Sequence, residues 1–212
     1  QATDHQYGVT RAAIDVAEDF DENNSKVKAH IGKISGGTFE APVALYLNNF
    51  YQHISSPLDT PVIDEISGGT FTSNALAHNN GAALWIDYGL GIGKISGGTF
   101  GAENQESWAY AVLNKGTIDE ISGGSFNGTN SQSGFTNYAG YQKHLTDAPL
   151  PQDKNGKYIG GVVHTISGGT FTGSSAGSHG FFNMASIDYN NNKVRAVVDT
   201  ISGGSFTGTN GV

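Results

Sequence analysis

The sequence predicts an all-β chain: one single-stranded parallel β-helix, or β-solenoid, of about six to seven coils over residues 1–212. Three observations carry the prediction. One phrase, Ile-Ser-Gly-Gly-Thr/Ser-Phe, occurs six times, opening at Ile34, Ile66, Ile95, Ile121, Ile166 and Ile201. The steps between copies are 32, 29, 26, 45 and 35 residues, so a constant unit is separated by loops of variable length. A second short apolar segment recurs between the copies, which gives each repeat at least two strands.

Residues 1–30 precede the first phrase and read as a partial N-terminal coil or cap. Within them, Ala12–Ala17 has the pattern of the later second strands. Thr10–Phe20 also has some helical character, so a cap helix is the alternative there. Residues 31–212 hold the six coils. Their second strands are placed at Ala44–Asn48, Ala83–Asp87, Tyr110–Asn114, Gly134–Ala139 and Gly180–Ala185. Gly, Asn and β-formers in the fourth of these argue against a helix.

Three residues before each phrase Ile stands another aliphatic: Ile31, Ile63, Ile92, Ile118, Val163 and Val198. Positions three apart face opposite sides of a flat strand. A corner is therefore expected between them if both reach one core. The phrase Phe, five residues after the Ile, again has the wrong parity, and the Gly-Gly pair between them permits a bend or bulge. A chain that bends between inward residues wraps around a core, which is one coil of a solenoid. Stacked coils then lie ~4.8 Å apart, and Ile, Ser, Thr and Phe each form a column.

The residue just before each phrase tests that register. It runs Lys33, Glu65, Lys94, Glu120, Thr165, Thr200. The sign alternates over four coils, so in-register stacking sets Lys against Glu and avoids like-charge neighbours. Two insertions, Gln52–Pro61 and Thr146–Gly161, together carry four of the five prolines and read as surface loops. Loops on a rigid scaffold are the usual place for recognition. The sequence starts partway through a coil and shows no polar cap after the sixth phrase, so the expectation is a piece of a longer repeat protein, or an end that assembles with another chain.

Composition narrows the partners. Of the 31 glycines, twelve sit in the six phrase pairs, so Gly enrichment is architectural rather than low complexity. Net charge is −8 and the eleven Lys and Arg are scattered, which speaks against nucleic acid. No run approaches the ~20 apolar residues of a membrane helix, so membrane insertion of this segment is not expected. With no Cys, disulfides and thiolate chemistry are unavailable.

Six phrases of the form Ile-x-x-Ile-Ser-Gly-Gly-Thr-Phe, with aliphatic-aromatic second strands, resemble bacterial parallel β-helices of the autotransporter-passenger and surface-adhesin type. The resemblance covers residues 31–212. It implies a right-handed coil and export to a bacterial cell surface or beyond. Adhesins, self-associating proteins and polysaccharide-cleaving enzymes share that scaffold, so the fold does not decide among them.

A cleaving enzyme needs clustered carboxylates and a base. The candidates are Asp64, Glu65, Asp119 and Glu120, two coils apart with Lys94 between, which fits a charge ladder better than a catalytic pair. Glu18–Asn24 is the densest acidic run, but it lacks the spacing of a calcium loop and reads as solvated. Seven dispersed His make no zinc pattern. A Ser repeated in every phrase is structural, because a nucleophile is singular and paired with a base. Alternation turns Tyr46 and Trp85 outward at equivalent positions of adjacent coils, a candidate ligand-binding pair for sugar rings or a partner, unless a loop covers them. Ice binding through the Thr/Ser column is disfavoured, since the column is one residue wide.

The expectation is a non-enzymatic, cofactor-free, secreted or cell-surface adhesin passenger. Its partner would be a host glycan, a host surface protein or a copy of itself. The alternative is a polysaccharide-binding or polysaccharide-cleaving, lyase-like β-helix protein.

Overall fold

The structure, a computed structural model, describes residues 12–20, 26–49, 62–75, 81–102, 109–128, 133–140, 159–175, 177–187 and 192–209. Those residues are all-β, with no helix among them. The described residues begin with β1 (Ala12–Phe20) and a short β2 (Lys26–Lys28). A long phrase strand, β3 (Ile31–Ala41), leads through β4 (Val43–Asn48) to the equally long β5 (Ile63–Ser73). After β6 (Gly81–Ile86) the phrase strand splits at its glycines into β7 (Gly91–Ile95) and β8 (Thr99–Ala102). The same three pieces recur as β9 (Ala109–Asn114), β10 (Thr117–Ile121) and β11 (Ser125–Gly128). They recur again as β12 (Ser133–Tyr138), β13 (Ile159–Ile166) and β14 (Thr170–Gly173). The last set is β15 (His179–Met184), a short β16 (Ser186–Ile187), β17 (Lys193–Ile201) and β18 (Ser205–Thr207).

Each strand pairs in parallel with its equivalent in the next repeat. The second strands run β15-β12-β9-β6-β4-β1 in one sheet, and the phrase strands form the other. Two antiparallel contacts flank these stacks: β2 on Glu18–Phe20 of β1, and β16 on Lys193 and Val194 of β17.

Two readings change here. Residues 12–20 are extended, pairing Ala12–Ala17 in register with β4, so no cap helix forms there. No corner separates the two phrase aliphatics either: Ile92 and Ile95 lie in one strand, and so do Ile118 and Ile121. Pairing of β5 with β7 joins Ile63 to Ile92 and Glu65 to Lys94 and steps over Asp64 and Gly93. Ile63 and Ile66, and likewise Ile92 and Ile95, are nevertheless all buried, so residues three apart in one strand reach the same core. Of the insertion placed at Thr146–Gly161, Ile159, Gly160 and Gly161 belong to β13; its remainder, and Gln52–Pro61, lie outside the described residues.

The bend is at the Gly-Gly pair, and the two glycines have different reasons. The second one, from Gly37 to Gly204, has φ between 96° and 107° in all six copies, a region that L side chains rarely adopt. The first one yields space. A β-carbon at Gly68 would sit 2.5 Å from the Ser35 carbonyl oxygen. At Gly97, Gly123, Gly168 and Gly203 it would overlap the carbonyl of Ser67, Ser96, Ser122 and Ser167. Backbone pairing persists through the bend: Ser96 N–H donates to Ile66 O at 2.8 Å, and Ser202 N–H to Ile166 O at 2.8 Å.

Inside, Ile66, Ile95, Ile121 and Ile166 form one fully buried file and Phe71, Phe100, Phe126 and Phe171 another. The six phrase rings stack with centroids 4.7–5.2 Å apart from Phe39 to Phe206. Such contacts add ~0.5–1.5 kcal/mol per pair beyond area burial. Leu45, Leu84, Val112 and Phe135 close the core from the second-strand sheet.

Candidate functional site

Two groups of residues outside this core carry the chemistry. The first is the charged file before the phrase. Successive register pairs join Lys33 to Glu65, Glu65 to Lys94, Lys94 to Glu120, Glu120 to Thr165 and Thr165 to Thr200. Contacts within the file come in twos. Lys33 Nζ donates to Glu65 Oε2 at 2.8 Å, and Lys94 Nζ to Glu120 Oε2 at 2.9 Å. Each glutamate also takes a hydroxyl from the repeat beyond. Ser96 Oγ donates to Glu65 Oε1 at 2.5 Å, and Ser167 Oγ to Glu120 Oε1 at 3.0 Å. Hydrogen bonds from Lys33 and Ser96 hold Glu65 below the usual carboxylate range, and those from Lys94 and Ser167 do the same for Glu120. Two His-Asp contacts lie beside the file: His30 Nε2 to Asp64 Oδ1 at 2.9 Å and His164 Nδ1 to Asp199 Oδ2 at 2.6 Å.

The second group surrounds Tyr46 and Trp85. They are direct register partners of β4 and β6, and their rings meet edge to face at 5.8 Å. Both point away from the Ile-Phe interior, as alternation requires. Outward is not exposed, however: Trp85 is 6% exposed and packs with Val43, Ala82 and Leu113 in a second apolar cluster. Trp85 therefore presents no exposed ring, while Tyr46 is half-buried. Tyr46 Oη donates to Asp87 Oδ2 at 2.6 Å and Trp85 Nε1 to Asp87 Oδ1 at 2.9 Å. Burial, and then the Asp87 carboxylate, push the Tyr46 hydroxyl far above its usual range. Lys115, also buried, sets Nζ 4.8 Å from the centre of the Trp85 ring. Burial lowers its ammonium pKa, and the charge of Asp87 partly offsets this.

Sequence reasoning missed a third feature. Asn114, Asn137 and Asn183 are register partners at the corner after the second strand. Asn114 Nδ2 donates to Asn137 Oδ1, and Asn137 Nδ2 to Asn183 Oδ1, both at 2.8 Å. Asn114 also reaches Val162 O at 3.1 Å, and Asn137 reaches Gly161 O at 3.1 Å and Val197 O at 3.0 Å. The signal was present: an Asn closes several apolar second strands at the same offset.

The groups do different work. The charged file fixes register on the surface, the Asn file ties the corner to the next strand, and the Asp87–Lys115 cluster locks the outer face. Asp64 and Asp119, weighed with the glutamates as catalytic carboxylates, are exposed, and Asp64 contacts His30. Among the described residues no group of three or more His, Asp or Glu is placed to hold a metal ion. Comparison with protein-family models, with curated proteins and with solved structures finds no match to this chain.

Proposed function

We propose that the chain is a β-solenoid acting as a non-enzymatic, secreted or cell-surface module that mediates attachment or self-association. One observation carries the reading. The six phrase copies stack in parallel, in register at their Ile, Thr/Ser and Phe positions with a local shift at Ser35, and the residues before the phrase form a file of Lys, Glu and Thr. A rigid body with periodic polar files suits display and repeated weak contact. Glu65 and Glu120 are each committed to a Lys and a Ser, an arrangement that serves register and leaves neither poised as an acid or base. The attachment partner would be a glycan or protein of another cell surface.

The test is a glycan array and a cell-binding assay with the purified chain, alongside sedimentation velocity across concentration. The reading predicts a glycan or cell-surface hit, or concentration-dependent association. Depolymerisation of a polysaccharide by the chain would overturn it.

A further inference from the structure

The first phrase contains a glycine that its own repeat does not require. Gly36 is exposed, its φ lies outside the left-handed region, and no described atom comes within 4 Å of a β-carbon built there. At the same place in the other five copies, a β-carbon would run into the serine carbonyl of the preceding repeat. Gly36 thus leaves room for a carbonyl that none of the described residues supplies.

The opposite face has the reciprocal feature. Among the described residues five large hydrophobics are exposed, and four of them, Met184, Ile187, Ile201 and Phe206, lie in the last repeat. Ile166 and Phe171, one repeat earlier in the same files, are fully buried, whereas Ile201 is 55% and Phe206 42% exposed. What covers a phrase strand is visible at five junctions within the chain: another phrase strand, in parallel and in register.

We propose that the chain stacks head to tail on a second copy of itself, the front of one copy around Gly36 seating on the rear of the other at Ile201 and Phe206. This rests on the self-association arm of the function above and specifies its geometry. Continuing the internal register puts Ile34 on Ile201, Phe39 on Phe206 and Thr38 on Ser205. The Ser202 carbonyl enters the space at Gly36, as the Ser35 carbonyl does at Gly68. Ser35 N–H donates to the Ile201 carbonyl, as Ser202 N–H donates to Ile166 within the chain. Lys33 meets Thr200 and Gly32 meets Asp199, so no like charges oppose one another. A heterologous contact of this kind leaves a free front and a free rear after every addition, so it grows rather than closing.

Two one-ended variants test this by sedimentation velocity. Gly36→Val blocks the front where the described residues leave room, and Phe206→Asp places a charge on the rear. Far-UV circular dichroism checks that both retain the fold. The wild-type chain is expected to give a ladder of species that lengthens with concentration. Each variant alone is expected to stay monomeric. An equimolar mixture is expected to form a dimer and stop, because one intact rear meets one intact front. A wild-type chain that stays monomeric at every concentration would overturn the stacking, and a glycan-array hit by that monomer would leave the attachment function standing. Association of both variants like wild type would also overturn head-to-tail stacking while keeping self-association through the flanks.

Discussion

Gly97 lies against the carbonyl of Ser67, so closely that a β-carbon at position 97 would overlap that oxygen. At Gly36, the same place in the first phrase, no described atom lies within 4 Å of such a β-carbon. Identical local sequence therefore carries opposite expectations. Gly97→Ala should force two repeats apart and cost ~1–3 kcal/mol, as overpacking does. Gly36→Ala should be neutral, or should stabilise by ~0.4–1 kcal/mol through the unfolded chain. Urea unfolding of the two variants checks the contrast.

The Phe file predicts a large, local loss. Phe126 is fully buried and stacks on Phe100 at 5.2 Å and Phe171 at 4.7 Å. Phe126→Ala should cost ~3–5 kcal/mol. Phe206→Ala, at an exposed end of the same file, should cost much less by the same denaturant measurement.

Acid should weaken the register contacts. Glu65 is held below the usual carboxylate range by Lys33 and Ser96, so folding favours its ionised form. Its contribution is present above the unfolded-state value and is lost as pH falls through the lower folded-state value. Thermal midpoints recorded from neutral pH downward should fall less steeply for Glu65→Gln than for the parent. Equal slopes would remove Glu65 from the account.

Trp85→Ala should act on stability. The ring is buried, donates to Asp87 and lies under the Lys115 ammonium. A loss of ~3–5 kcal/mol is expected from a buried Trp. Asn137→Ala should also destabilise, since it removes donors from the buried corner and leaves acceptors there worth ~1–3 kcal/mol each when unsatisfied. Chemical denaturation measures both.

How much of this was legible follows from what a repeated phrase can encode. Six copies of one phrase made parallel register readable, because identical residues at identical offsets can stack only one way without breaking the files of Ile and Phe. The Lys33–Glu65 and Lys94–Glu120 contacts were readable for the same reason. What escaped was everything set between repeats rather than within one. Alternation gives the direction of Trp85 but not what packs over it. The corner expected between Ile92 and Ile95 was absent: both are buried from within one strand. The first glycine reads as a flexible residue until the neighbouring repeat's carbonyl is in place.

Amide hydrogen exchange at the phrase serines tests the central claim, that the phrase is the stacking unit. Ser96, Ser122, Ser167 and Ser202 each donate their N–H to the Ile carbonyl of the preceding repeat, at 2.8–2.9 Å. Stacking predicts that these amides, though next to a Gly-Gly bend, are protected as strongly as the adjoining strand amides. Exchange of the serine amides at unfolded-chain rates, with the flanking strands still protected, would contradict it: the phrase would then be a turn between strands and not the element that joins one repeat to the next.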